Sequence, residues 1–216
     1  MPFPTRSGVL GMLAACMGIA RRDTARLFEL AREARVHVRV DAPGVPLIDD
    51  QTIQDNPRAS ATRKTIRSKR RYLCDASFVA VVVPGPGCSL EDIRRAIDEP
   101  VFAPFLGRRA CAPSEPLLLE SEVVAEDPLE LFTGIRRGPS ALVDQLRLAE
   151  KVGDDVDFYL DVTDHPRGLR HLPLRDDLAG PLPRQFRERV VVHARERIGL
   201  GGRPDSLDPW MTRPLS

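Results

Sequence analysis

The chain has 216 residues, 42% hydrophobic and 29% charged, enough for one large or two small domains around a real core. A net charge of +1 excludes a uniformly basic or acidic protein, yet the charges are segregated: residues 58–71 hold seven cations and no acid, while 120–130 and 154–164 are acidic. Cys16, Cys74, Cys88 and Cys111 lie far apart with no C-x-x-C pair, which argues against a zinc knuckle or a disulfide framework and for reduced thiols in a cytoplasm.

In chain order, Pro2-Phe3-Pro4-Thr5-Arg6-Ser7 runs straight into an apolar helix, with Ser7 as its expected cap, reaching about Met17 and broken at Gly18. Backbone N–H groups, the helix dipole and Arg6 together make this start read as phosphate-facing. The apolar run 8–20 is too short to span a membrane and is read as a buried helix. Asp23 or Thr24 caps a second helix to about Ala34, its apolar face formed by Ala25, Leu27, Phe28, Leu30 and Ala31. Val36 to Asp41 alternates as a half-buried strand, and Pro43-Gly44 turns the chain. Residues 45–70 are polar and basic without periodicity, which suggests an extended hairpin or loop projecting from the body.

Tyr72 to Val83 is a β-forming run closed by Pro84-Gly85-Pro86-Gly87, and Ser89 with Glu91 and Asp92 opens a helix to about Asp98. Val101–Leu106 reads as a short strand or turn into Gly107-Arg108-Arg109. This order resembles most of a β-α-β-β-α-β ferredoxin-like unit, an α+β fold, whose first strand would have to precede residue 7. Further on, Pro128–Phe132 reads as a helical turn, 138–153 as helix or linker, and Phe158–Val162 and Arg189–Ala194 as strands. The Gly- and Pro-rich tail from Gly199 is expected to be disordered.

Arg58, Arg63, Lys64, Arg67, Lys69, Arg70 and Arg71, interleaved with Ser and Thr and ended by Tyr72, suit a nucleic-acid backbone with an aromatic for stacking. A solvated basic loop would have the same composition. Arginine outnumbers lysine 29 to 3, which suits bidentate phosphate contacts but also follows from GC-rich codon usage. His37, His165, His171 and His193 form no metal set; His37 sits in a strand pattern as a structural residue, and His165 and His171 flank a Pro-Arg-Gly loop without a visible nucleophile. Asp49-Asp50 and Asp154-Asp155 read as surface charges. No P-loop or dinucleotide fingerprint is present, so no cofactor and no catalytic set are expected.

Several collinear segments carry a resemblance to a known family. They are Phe3-Pro4-Thr5-Arg6-Ser7-Gly8-Val9-Leu10-Gly11, then Val38-Arg39-Val40-Asp41, then Arg71-Tyr72-Leu73-Cys74-Asp75-Ala76-Ser77-Phe78. Pro104-Phe105-Leu106-Gly107-Arg108-Arg109-Ala110-Cys111 and Leu182-Pro183-Arg184-Gln185-Phe186 follow. Together, over about residues 2–192, they resemble CasD, the small RAMP-superfamily subunit family of type I-E CRISPR Cascade complexes.

The resemblance implies a ferredoxin-like (RRM-like) RAMP domain over 1–120 with a basic thumb hairpin at about 45–71, and a small β-rich C-terminal part over 121–198. It implies a non-catalytic subunit that holds the 5′ handle of the CRISPR RNA, contacts CasC and CasA, and meets target DNA only through the complex. Thr5, Arg6 and Ser7 match the helix-entrance motif; Arg63, Lys64 and Arg67 fall in the thumb; Arg71 and Tyr72 follow it. Arg108 and Arg109 match L-G-R-[RK], and Arg184 matches L-P-R-Q-F. Two features depart from the family: Gln51 follows Asp50 where a tyrosine stands in D-Y-x-T, and the apolar first strand before Pro-Thr-Arg-Ser is missing. Two alternatives remain open at this point, an endoribonuclease using His171 or Tyr72 and a truncated remnant that does not assemble.

Overall fold

The computed structural model describes residues 2–54, 65–119, 128–132, 135, 155–161, 170–180 and 185–197. Two helices open the chain, α1 (Arg6–Cys16) and α2 (Thr24–Ala31). The cap of α1 is Thr5 in place of the expected Ser7: the Thr5 hydroxyl accepts the Gly8 N–H. Asp23 caps α2 by accepting the Arg26 N–H, as its sequence indicates. Gly18 ends the first helical stretch with φ +70°, a conformation that suits glycine.

Two long strands follow, β1 (Arg35–Gln54) and β2 (Thr65–Val83), then α3 (Leu90–Asp98), capped by Ser89. Val101–Leu106 takes the turn alternative and forms no strand. Its first two amides instead close the end of α1: Val101 N–H donates to the Cys16 carbonyl at 2.9 Å and Phe102 N–H to the Ala15 carbonyl at 3.1 Å. Glu130–Phe132 is a short 3₁₀ turn. Three further strands are β3 (Asp155–Leu160), β4 (Arg170–Gly180) and β5 (Gln185–Arg197). Residues 138–153 and the tail from Gly199 lie outside the described residues.

All five strands form one antiparallel sheet in the order β2-β1-β3-β5-β4, so the architecture is α+β. β1 is buried on both faces from Val36 to Ala42, and not half-buried as its alternation indicates, because its polar phase of His37, Arg39 and Asp41 is covered as well. Val36, Val38 and Val40 face α1 and α2, packing with Leu10, Leu13, Leu27 and Leu30. Each such side chain taken fully out of water contributes about 1.5–3 kcal/mol. Phe3 stacks on Tyr159 of β3 and pins the segment ahead of α1 to this same layer.

The opposite phase of β1 carries His37, Arg39 and Asp41, all buried. Arg39 Nε and Nη2 donate to the two oxygens of Asp41 at 2.6 and 3.0 Å. Its Nη1 donates to the carbonyls of Phe132 and Ile135 at 3.2 and 2.9 Å. A charged pair thus fastens the 3₁₀ turn over a second core of Val79, Phe132, Ile135, Val156, Phe158 and Val192. Asp41 and Arg39 share a face as residues two apart in a strand, and the β1–β2 ladder slips by one residue between Val40 and Ala42, a bulge that leaves Asp41 unpaired in the backbone ladder.

Two outcomes are expected from this layer. Arg39→Leu should cost about 3–5 kcal/mol in urea unfolding because Asp41 stays buried without its cation, and Arg39→Leu with Asp41→Leu should recover most of that loss. Burial holds the His37 imidazole down at about 4, below its ordinary 6.5; nearby Arg35 and Arg189 lower it further, while Asp161 opposes them. Its Nδ1 accepts the Asp161 N–H at 3.3 Å, so the ring is neutral in the folded protein. Between those two values the unfolded chain binds the extra proton, so stability is complete above pH 6.5 and falls as pH drops toward 4, by about 3 kcal/mol in all. His37→Asn keeps an acceptor and should flatten the urea midpoint across pH 7 to 4.5.

Candidate nucleic-acid interface

Burial along β1 ends at Ala42, just before the point where Gly44 faces Asp75 of β2. Both have positive φ (69° and 56°), and they face each other between the Pro43–Ala76 and Val45–Cys74 pairs. A Cβ on Gly44 would lie 2.5 Å from the Cys74 carbonyl, so this position requires glycine. On the body side the strand is buried; beyond it, residues 45–54 are exposed or half-buried. The basic segment is therefore an extended two-stranded arm, as its sequence suggested, and it is ordered by an unbroken antiparallel ladder from Val45–Cys74 to Gln54–Thr65.

Because facing residues in such a ladder share a side, the arm has two different faces. One presents Arg67, Lys69 and Arg71 opposite Thr52, Asp50 and Ile48. The other presents Ile66, Arg70 and Tyr72 opposite Ile53, Asp49 and Leu47. Arg67, exposed to 72%, is bidentate with Asp50, its Nε and Nη2 lying 2.6–3.0 Å from the carboxylate oxygens. An exposed pair of this kind contributes little to stability and leaves the guanidinium accessible.

Arg108 is brought to the root of the arm. Its guanidinium carbon sits 4.9 Å from the Tyr72 ring centroid, a cation–π contact between two motifs distant in sequence. The loop that carries it is closed by Leu106 N–H to the Cys111 carbonyl (2.9 Å) and Cys111 N–H to the Arg108 carbonyl (2.8 Å), with Gly107 at φ +76°. The same loop rests on the start of α1, where a side chain at Gly8 would lie 3.3 Å from Leu106 and 3.2 Å from the Thr5 hydroxyl. Thr5, Ser7, Arg71, Tyr72, Arg108 and Arg109 thus belong to one neighbourhood: the α1 cap, the 106–111 loop and the root of the arm. Arg109 is exposed, and Ser7 is partly exposed with its hydroxyl 3.3 Å from that of Thr5.

Arg6 is different: the structure moves it from the expected contact surface into the interior. It is 6% exposed. Its Nε and Nη2 donate to the Ala34 carbonyl at 3.0 and 2.7 Å, Nη2 also donates to the Ala31 carbonyl, and Nη1 pairs with Asp177. Ala31 is the last residue of α2, where a cation is favourable, and Ala34 lies in the connection from α2 to β1. The anion at the start of α1 is supplied by the chain itself: the Arg6 N–H donates to Asp176 at 2.7 Å. Asp176 also receives Arg189 Nε and Nη2 at 2.6 and 3.0 Å, and Arg189 Nη1 lies 3.1 Å from Asp161. Arg187 completes the network through Asp177.

None of these three aspartates was singled out by sequence reasoning. A signal existed: Leu172, Leu174, Asp176 and Leu178 hold one phase of β4, with Asp176 in an apolar register. Arg63, Lys64 and Arg184 lie outside the described residues. Tyr72 and His171 stand on the two opposite edge strands of the sheet, so they do not form one site. Among the described residues there is no group of His, Cys, Asp and Glu able to hold a metal ion, and no helix long and apolar enough to cross a membrane.

Comparison with known proteins gives a single direction. Residues 1–197 match the family described as CRISPR-associated protein (Cas_Cas5). A relative from Escherichia coli (strain K12), CRISPR system Cascade subunit CasD, is 33% identical over 205 residues, covering 87% of this chain and 81% of the relative. A chain of a CRISPR RNA-guided surveillance complex superposes with a TM-score of 0.62 at 27% identity, covering 92% of this chain and 80% of that one. A second structure, described as a crystal structure of a Cas protein, gives a TM-score of 0.52 at 27% identity, covering 89% and 83%. The chain belongs to the Cas5 family of CRISPR-associated proteins, and it is homologous to a Cascade subunit.

Proposed function

We propose that this chain is a non-catalytic, RNA-holding subunit of a cytoplasmic Cascade-type complex in antiviral defence. It grips the 5′ handle of the CRISPR RNA and contacts the neighbouring subunits CasC and CasA, meeting target DNA only through the assembled complex. The observation that carries this reading is the Arg108–Tyr72 contact at the root of a basic arm. It sets a planar cation and an aromatic ring, two groups on which unpaired bases stack, on one face of a hairpin whose other face bears Arg67, Lys69 and Arg71 for the phosphates. Arg109 adds a second guanidinium on the same turn, and Thr5 and Ser7 add hydroxyl groups beside it. Arg63 and Lys64 on the thumb, with Arg184, extend the basic set in sequence. Arg6 is left out of the contact surface and given the structural role its bonds describe. The ferredoxin-like relationship is part of the same proposal: the helices ahead of β1, the β1–β2 hairpin and α3 follow the central α-β-β-α order of such a unit.

The test is binding of purified protein to RNA carrying the repeat-derived handle, measured by anisotropy over a range of NaCl concentrations. Arg108→Ala and Arg109→Ala should each weaken binding about tenfold and reduce the slope of log K against log salt by about one, with urea midpoints unchanged. Tyr72→Ala should weaken binding by a similar factor while leaving the slope unaltered. Unchanged affinity and slope in all three variants, or metal-independent cleavage of precursor repeat RNA, would overturn the proposal.

A further inference from the structure

Asp50 lies in the middle of the basic face of the arm. In the ladder it faces Lys69 directly and stands diagonal to Arg67, whose guanidinium it engages through both oxygens. The arrangement is a planar fork of N–H donors on a two-oxygen anion, the same geometry with which arginine takes a phosphate. The pair is exposed and sits on the arm beyond the Gly44–Asp75 bend, away from the core, so a stabilising role does not account for it. Asp49, the neighbouring carboxylate, occupies the other face and bonds the Gln51 amide at 2.6 Å.

We infer that Asp50 is an intramolecular stand-in for an RNA phosphate, occupying Arg67 until a polyanion displaces it. The inference rests on the RNA-holding reading above. In the free protein the carboxylate keeps the Arg67 fork preorganised and neutralises part of the face, which lowers affinity for stray polyanions. A nucleic-acid backbone seated along this face by Lys69 and Arg71 brings a phosphate to Arg67 and leaves Asp50 unpaired against like charge. Asp50 thereby raises the number of simultaneous phosphate contacts needed for tight binding. Its effect is selectivity for a properly seated strand.

The experiment compares wild type, Asp50→Asn, Arg67→Ala, the double variant and Asp49→Asn, using handle RNA and an unrelated single-stranded RNA in a salt series. Asp50→Asn should bind the unrelated RNA about three- to tenfold more tightly, with a salt slope steeper by up to about one, and the handle RNA by a smaller factor. The gain should vanish in the Arg67→Ala background, and Asp49→Asn should stay near wild type. Equal or weaker binding by Asp50→Asn overturns the inference, as does a gain that persists without Arg67. A wild-type protein that binds neither RNA overturns the RNA-holding reading itself, which separates the two failures.

Discussion

The seating of α1 and α2 on the sheet depends on the largely buried charge network centred on Arg6. Three arginines and three aspartates (Arg6, Arg187, Arg189, Asp161, Asp176, Asp177) join the start of α1, the end of α2, the end of β3 and both strands of the β4–β5 pair. Such a network is costly to desolvate and is justified only when the groups satisfy one another. Here they also satisfy backbone groups: Arg6 bonds the last carbonyl of α2 and the Ala34 carbonyl beyond it, Asp176 the first amide of α1, and Asp161 the Val36 amide at 3.3 Å. The apolar core could hold two helices on a sheet at several rotations, since dispersion and burial carry little direction. The network selects one. That choice sets where α1 begins, and the start of α1 is what the Arg108 loop rests on.

A second constraint operates on the arm. A free two-stranded hairpin is marginal in water, yet this one extends far from the core. Its root is held in two ways. β1 is buried on both faces up to Ala42, so one strand enters the arm from a fixed direction, and the facing positive-φ residues Gly44 and Asp75 set the bend. Arg108 then braces Tyr72 from outside the hairpin. Rigidity at the root and exposure along the arm fit a device that lies along a flexible polyanion, where ordering the protein side on binding would cost affinity.

Much of this was legible in the residues. Alternation from Val36 to Val40, the caps Asp23 and Ser89, and the β-forming run from Tyr72 to Val83 all specify their elements locally and those elements form, although the first strand is buried on both faces where alternation indicated one. His37 was read as structural and is 1% exposed. What the residues concealed is non-local. β4 contains Pro173 and the pair Asp176-Asp177, which look like loop chemistry until β5 supplies Arg187 and Arg189 across the ladder. Arg6 had every local mark of a phosphate contact, and only the fold shows that a carboxylate from β4 already fills that place. In the same way, nothing in the sequence of the 106–111 loop indicates that it lies on α1 beside Tyr72.

The arginines therefore divide by what the sheet places next to them, and composition alone cannot make the division. Arg6 meets aspartates that β4 carries to the start of α1, Arg39 and Arg189 meet aspartates on the same or the neighbouring strand, and all three become internal bonds. Arg67 meets an aspartate too, but on the exposed arm, where solvent weakens the pair and an incoming phosphate can compete for the same fork. Arg108 has an aromatic ring beneath it, which orients the guanidinium plane while leaving its donors for a ligand. Burial and counter-charge, taken together, thus sort one residue type into internal ties, an exposed charge held by an exchangeable carboxylate, and an oriented contact. Holding RNA with arginine, as proposed, while keeping the fold with arginine–aspartate pairs requires the two uses to be separated in space. The bend at Gly44 and Asp75 draws that line along the hairpin, with the closed pair Arg39–Asp41 on one side and the open pair Arg67–Asp50 on the other.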